Sequence, residues 1–172
     1  MVQTTGTHPT TQPHLDYSFT LVDRWLRRWG HQFPGNTPLS LGRIFLPINR
    51  GGNHWACLLI TPSMATIHYY DSLIPDTVTG DYGHDYMETA LRFVKDEHQR
   101  AFGRPDQRQW TLFGCSKETA PQQTNGFDCG VYTCLYMDCT LRGLPFAASP
   151  TQVRRARAHI TLSIIQGSAP PW

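Results

Sequence analysis

The sequence predicts an α+β fold: a central sheet, mixed but mostly antiparallel, flanked by helices. Two patterns predict it. Strand-length apolar segments at about residues 43–48, 55–60 and 66–71 follow one another across short turns bearing Gly, Asn or Pro, as consecutive antiparallel strands do. Around them, apolar residues recur at helical spacing near residues 19–29, 86–98 and 151–165, and an apolar run free of Gly and Pro follows Gly130. A chain of 172 residues, 40% of them hydrophobic, can close one substantial core. A single domain over residues 17–166 is therefore expected, between a flexible leader rich in Thr, Gln, Pro and His (1–16) and a frayed tail (167–172).

The elements read as follows. Leu21, Val22, Trp25, Leu26 and Trp29 mark the first helix, with Arg24, Arg27 and Arg28 on a solvated face and Gly30 as its stop. Arg43 to Ile48 is a strand in which Pro47, lacking an N–H, demands an edge position or a bulge. Asn49-Arg50-Gly51-Gly52-Asn53 is a turn that delivers His54. Trp55 to Ile60 is apolar throughout, which predicts a central strand buried on both faces, and Thr66 to Asp71 pairs back against it. After an irregular stretch (72–83), Tyr86, Met87, Ala90, Leu91 and Val94 predict a helix to about His98. A polar loop (100–109) and a short strand at Trp110 to Phe113 precede a long loop (114–128). A helix then opens at Cys129 and ends at Gly143-Leu144-Pro145; a last helix, Thr151 to about Ile165, carries Val153, Ala156, Ile160 and Ile164 on one face.

Bulk properties narrow the function. Charged residues make up 16% and the net charge is +2, too small to argue for a nucleic-acid or membrane partner. The five Cys (57, 115, 129, 134, 139) contain no Cys-x-x-Cys pair, so no metal or cofactor is expected. The opening residues lack the basic start and apolar stretch of a signal peptide, and no run approaches the roughly 20 apolar residues of a membrane span. A reducing intracellular compartment follows, nucleus or cytoplasm, including that of a cell into which the protein is delivered. The chain is expected to act as a monomer.

The chemistry centres on Cys129. Asn125-Gly126 is a turn dipeptide, because both residues tolerate positive φ, and Asp128 is a good N-cap type. Cys129 therefore falls in the first turn of its helix, where partial positive charge and unpaired N–H groups favour a thiolate and can hold an oxyanion. A Cys nucleophile needs a base, and the base needs an orienting group. His54 opens one predicted strand and Asp71 closes the next; if the two strands are adjacent and antiparallel, these residues meet at one edge of the sheet. Cys57, Cys115, Cys134 and Cys139 read as buried and inert.

His54-Trp55, then Asp71-Ser72-Leu73 seventeen residues on, then Pro121-Gln122-Gln123-Thr124-Asn125-Gly126-Phe127-Asp128-Cys129-Gly130, resembles the Ulp/SENP family of cysteine proteases. The likeness runs from about Trp25 to Ile165. It implies a papain-like, adenovirus-protease-like fold and a thiol isopeptidase or precursor-processing activity that cleaves after the Gly-Gly of SUMO or another ubiquitin-like modifier. It also implies His54 as base, Asp71 as its orienter, Gln123 as oxyanion donor and Cys129 as nucleophile. Trp55 becomes one aromatic wall of a narrow tunnel for the Gly-Gly tail, which only side-chain-free residues can thread. The family's second wall comes from a Trp-Leu-Asn-Asp motif that is absent before residue 54. The family's N-terminal segment thus looks missing, and a weak enzyme with relaxed tail preference is the expectation. Other readings are a deubiquitinase-like effector, a non-catalytic modifier-binding module, and an acyltransferase of the Yop type.

Overall fold

The computed structural model describes residues 17–78, 82–146 and 148–168. The predicted leader, and residues 169–172 of the predicted tail, lie outside them. Four strands form one sheet in the order β1 (Ile44–Arg50), β2 (His54–Thr61), β3 (Thr66–Tyr70), β4 (Thr111–Phe113). The first three are antiparallel neighbours and β4 runs parallel to β3, so the sheet is mixed and mostly antiparallel, as predicted. Pro47 sits on the edge strand β1 opposite Cys57, where its missing N–H leaves no central ladder incomplete. Gly51 and Gly52, both at positive φ, make the tight turn from Arg50 back to His54.

β2 is buried on both faces because its side chains alternate between two different partners. Ala56, Leu58 and Ile60 join Ile67 and Tyr69 of β3 against Met87, Ala90 and Val94 of α2 (His84–Phe102). Cys57 and Leu59 face the other way and pack on Tyr136 of α3 (Cys129–Arg142). α4 (Pro150–Gln166) then covers α3 through Val153 and Ala156 against Val131 and Tyr132. A capping box closes its start: Ser149 Oγ accepts from Gln152 N–H, and Gln152 Oε1 accepts from Ser149 N–H.

Four local expectations need correction. α1 spans Phe19–Trp29 and stops at Gly30 as predicted, but only Leu26 is buried, and the Gly30 cap is not left-handed. Its φ is −58°, and the chain tightens instead through short 3₁₀ turns at Gly30–Gln32, Pro34–Asn36 and Pro38–Ser40. α2 runs on to Phe102 before Gly103 caps it at φ +67°. Its extra turn is anchored by Glu97, fully buried, which accepts from Thr37 Oγ1 and from Arg100 Nε and Nη2, each at 2.6 Å. In α4, Val153 and Ala156 are buried and Ile160 packs beside them, but Ile164 is exposed. Cys134 is exposed and Cys139 half-buried, because α3 packs on β2 only along the face that carries Tyr136.

Gly83, before α2, ties the fold to the site described next. Its φ is +95°, and a Cβ there would stand 2.1 Å from Cδ1 of the buried Tyr69 ring. Gly83→Ala therefore combines left-handed strain with a steric clash, together about 2–5 kcal/mol. Thermal unfolding should show a Tm lowered by roughly 5–20 °C.

Candidate active site

Asp71 follows β3, and its side chain is wholly buried. Four donors meet it. Oδ1 accepts from His54 Nε2 at 2.7 Å and from Leu73 N–H at 2.8 Å; Oδ2 accepts from Tyr69 Oη–H at 3.0 Å and from Arg50 Nη1 at 2.5 Å. A carboxylate has about four lone-pair sites, so this one is saturated and cannot rotate without breaking a bond. Burial, reinforced by the charge of Asp71, pushes the Tyr69 hydroxyl far above its usual range, so it remains a donor. Burial works against the charge on Arg50, but Tyr69, Asp71 and Tyr82 outweigh it and the guanidinium stays protonated. Arg50 also donates to Tyr82 Oη and lies against the Tyr82 and Tyr86 rings.

An ionised carboxylate can only accept, so Nε2 of His54 carries the proton in this pair, and Nδ1 takes no part in it. Trp55, the next residue, projects from the opposite face of the strand and is 42% exposed. Its Cδ1 lies 3.8 Å from where a Cβ on Gly130 would stand, which brings the start of β2 against the start of α3, next to Cys129.

The loop before α3 is held largely by side-chain amides. Neither Asn125 nor Gly126 adopts the positive φ expected of the Asn-Gly dipeptide. Asn125 closes the turn with its side chain instead, Oδ1 accepting from the N–H groups of Phe127 and Asp128, both at 3.1 Å. Asp128 does not cap α3, although it occupies the N-cap position. Its carboxylate accepts from Asn125 Nδ2 at 2.7 Å and pairs with Arg157 of α4, and these bonds, Asn125 first, hold its pKa below the usual value. No side chain caps the first turn of α3, so its leading N–H groups are not taken up that way.

Gln123 is buried. Its N–H donates to Ser72 O at 2.7 Å, its Oε1 accepts from Ser72 Oγ–H at 2.8 Å, and its Nε2 gives one N–H to Asn125 O at 2.5 Å. Gln122 stitches the same loop to the Asp71 segment: Oε1 accepts from Ile74 N–H at 2.9 Å, and Nε2 donates to Asp71 O at 3.2 Å and Ala120 O at 2.9 Å. An open cleft of about 780 Å³ lies beside His54 and Gln123, lined also by Arg50, Leu73, Ile74 and Lys117. Cys129 is buried at the helix start. Burial pushes the Cys57 thiol up to about 12, with a smaller effect from Cys134, so Cys57 is inert beneath the site. Among the described residues, no group of three or more His, Cys, Asp or Glu could hold a metal, and no helix is long and apolar enough to cross a membrane.

Comparison with known proteins decides what this arrangement belongs to. The profile of the Ulp1 protease family, C-terminal catalytic domain, matches residues 25–164. The chain belongs to the Ulp1 protease family. These are cysteine peptidases, and the resemblance read from the motifs was to this family. The chain is 32% identical over 153 residues to ubiquitin-like-specific protease 1 of Saccharomyces cerevisiae, covering 83% of this chain and 21% of that protein. It is 29% identical over 123 residues to human sentrin-specific protease 2, covering 71% of this chain and 20% of that protein. It thus spans about a fifth of the length of each of these two relatives. Its fold superimposes on SUMO protease Ulp1, crystallised with its catalytic cysteine oxidised to a sulfenic acid, with a TM-score of 0.67 at 26% identity over 87% of this chain and 62% of that one. The Ulp1-like SUMO protease domain of Chaetomium thermophilum gives 0.64 at 26% identity, covering 87% of this chain and 55% of that one.

In this Ulp1-family domain the sequence motifs marked His54, Trp55, Asp71, Gln123 and Cys129, and those residues gather around the meeting point of β2, the segment after β3 and the start of α3. Sequence reasoning passed over Arg50, Tyr69, Ser72 and Gln122, which hold the others in place. A signal for Ser72 was present, since it adjoins Asp71 in the motif; Arg50 had only its place in the turn before His54. Arg50 carries the cation opposite a buried carboxylate. Arg50→Met should destabilise the fold by about 3 kcal/mol, because the charge of Asp71 is left buried without its cation. Arg50→Lys should recover part of this, and equilibrium urea unfolding of the three proteins checks both.

Proposed function

We propose that this chain is a thiol isopeptidase that cleaves after the C-terminal Gly-Gly of SUMO or a related ubiquitin-like modifier, with Cys129, His54, Asp71 and Gln123 as its working residues. The observation that carries the reading is the His54–Asp71 pair, its carboxylate buried and held by three further donors, beside a helix that begins with a cysteine and has no side-chain cap. The family assignment supports it. So does the yeast Ulp1 protease domain crystallised in complex with Smt3, the yeast ortholog of SUMO, which shares this fold with a TM-score of 0.67 at 24% identity over 88% of this chain and 62% of that one.

In this scheme the exposed Trp55 offers a flat apolar surface to the Gly-Gly backbone. His54 Nδ1 removes the Cys129 proton, and Sγ attacks the carbonyl carbon of the terminal glycine. The oxyanion is met by the N–H of Cys129 and by the second Nε2 proton of Gln123, whose first is committed to Asn125 O. His54 then gives its proton to the leaving amine and a thioester remains. Water, deprotonated by His54, displaces the sulfur and releases the modifier's carboxylate. Asp71 holds the imidazole throughout and balances its charge when both nitrogens are protonated.

The experiment is hydrolysis of Smt3 bearing a C-terminal fluorogenic amide. Turnover by the wild-type chain without any acyl-coenzyme A is expected. Cys129→Ala should fall below about a thousandth of wild type, His54→Ala nearly as far, and Asp71→Asn less far, since it leaves a base that is present but poorly oriented. Binding of Smt3 with no turnover would mark a modifier-binding module instead. Full activity in Cys129→Ala would remove the nucleophile from the scheme.

A further inference from the structure

We infer that Ser72 is a positioning residue that sets the direction of the Gln123 amide, so that the two adjacent residues Asp71 and Ser72 orient the base and the oxyanion donor respectively. This rests on the reading of Gln123 as the oxyanion donor. A side-chain amide presents an oxygen and an NH₂ group of almost the same shape, and a half-turn about its last torsion exchanges them. One orientation offers donors to an oxyanion; the other offers a lone pair, which repels it. The protein therefore needs a group that tells the two ends apart.

Ser72 supplies it. Its side chain is buried, and its hydroxyl donates to Gln123 Oε1 at 2.8 Å, which fixes the oxygen on the Ser72 side. On the other side Nε2 meets Asn125 O, which can only accept. The backbone bond from Gln123 N–H to Ser72 O, 2.7 Å long, holds the two residues side by side, so the hydroxyl addresses this amide and no other. The preceding residue, Asp71, fixes His54 through Oδ1. Strand β3 is thus followed at once by two consecutive residues whose side chains set the two halves of the reaction, proton transfer and charge stabilisation. A hydroxyl is the smallest group that can do this, since alanine there presents no donor to the amide oxygen.

The test is a double-mutant cycle on Ser72→Ala and Gln123→Ala, with Smt3 fluorogenic amide as substrate and unfolding temperature as the folding control. Gln123→Ala should lower kcat by about 10²–10³-fold. Ser72→Ala should lower kcat by roughly tenfold or more while KM moves less than about twofold, because the oxyanion exists only beyond the ground state. In the Gln123→Ala background, Ser72→Ala should cost less than about twofold. Equal losses in both backgrounds would make Ser72 merely structural and overturn the inference, as would an unchanged kcat in Ser72→Ala alone. An unchanged kcat in Gln123→Ala would instead sink the oxyanion assignment beneath it. A second measurement needs no turnover. The Gln123 side-chain NH₂ signals, identified by their loss in Gln123→Ala, should exchange with solvent at least roughly tenfold faster in Ser72→Ala; unchanged exchange contradicts the inference.

Discussion

The carboxylate of Asp71 is the constraint on which the rest of the site depends. A charge removed from water is tolerated only where donors and a counter-charge replace its hydration. Here the replacements come from separated parts of the chain: Arg50 at the end of β1, His54 at the start of β2, Tyr69 within β3, and the N–H of Leu73 just beyond. Each part must be in register for the others to be satisfied. The antiparallel pairing of β1 with β2 and of β2 with β3 provides that register, and the two-glycine turn at Gly51 and Gly52 lets Arg50 and His54 stand opposite each other. The fold's sheet and the His54–Asp71 pair are in this sense one structure.

A second network fixes the segment that leads into Cys129. Ser72, Gln123, Asn125, Asp128 and Arg157 form a chain of hydrogen bonds from the end of β3 to α4. Asp128 is drawn away from the helix it precedes, which leaves the first-turn N–H groups of α3 without a side-chain cap. An uncapped helix start is usually a small loss of stability, about 1 kcal/mol. Beside Cys129, in the proposed reaction, it would also leave backbone donors to meet an anion. The same displacement explains why Arg157, on a helix otherwise remote from the chemistry, lies over the exposed Phe127 ring.

The fold was largely legible because its strands and helices differ in period and in punctuation. Trp55 to Ile60, apolar without alternation, told of burial on both faces, which holds for Ala56 to Ile60 but not for the exposed Trp55; Pro47 told of an edge, and β1 is one. The pairing of His54 with Asp71 was legible because their positions at the start and end of adjacent strands bring them to one edge of the sheet. Illegible were the choices made by tertiary contact. Nothing local says that Asn125 will close its turn with its side chain at negative φ, or that Asp128 will prefer Asn125 and Arg157 to the helix start. Arg50 looked like a turn residue because its partner is twenty-one positions away. Gly30 stops its helix, but nothing local foretold the three short turns that follow it. Ile164 keeps the period of Val153, Ala156 and Ile160 yet is exposed, and periodicity alone does not say how far a packed face extends.

The central claim, that Asp71 fixes the imidazole so that Nε2 holds a proton and Nδ1 faces the reaction, has a direct test. Nitrogen-15 NMR of the His54 ring in the Cys129→Ala variant, where no thiol can share a proton, reports the neutral tautomer. The account predicts a protonated Nε2 and an unprotonated Nδ1, with the Nε2 proton shifted downfield by its bond to the Asp71 carboxylate and that shift lost in the Asp71→Asn, Cys129→Ala double variant. A ring protonated on Nδ1, or a signal indifferent to Asp71→Asn, would contradict it.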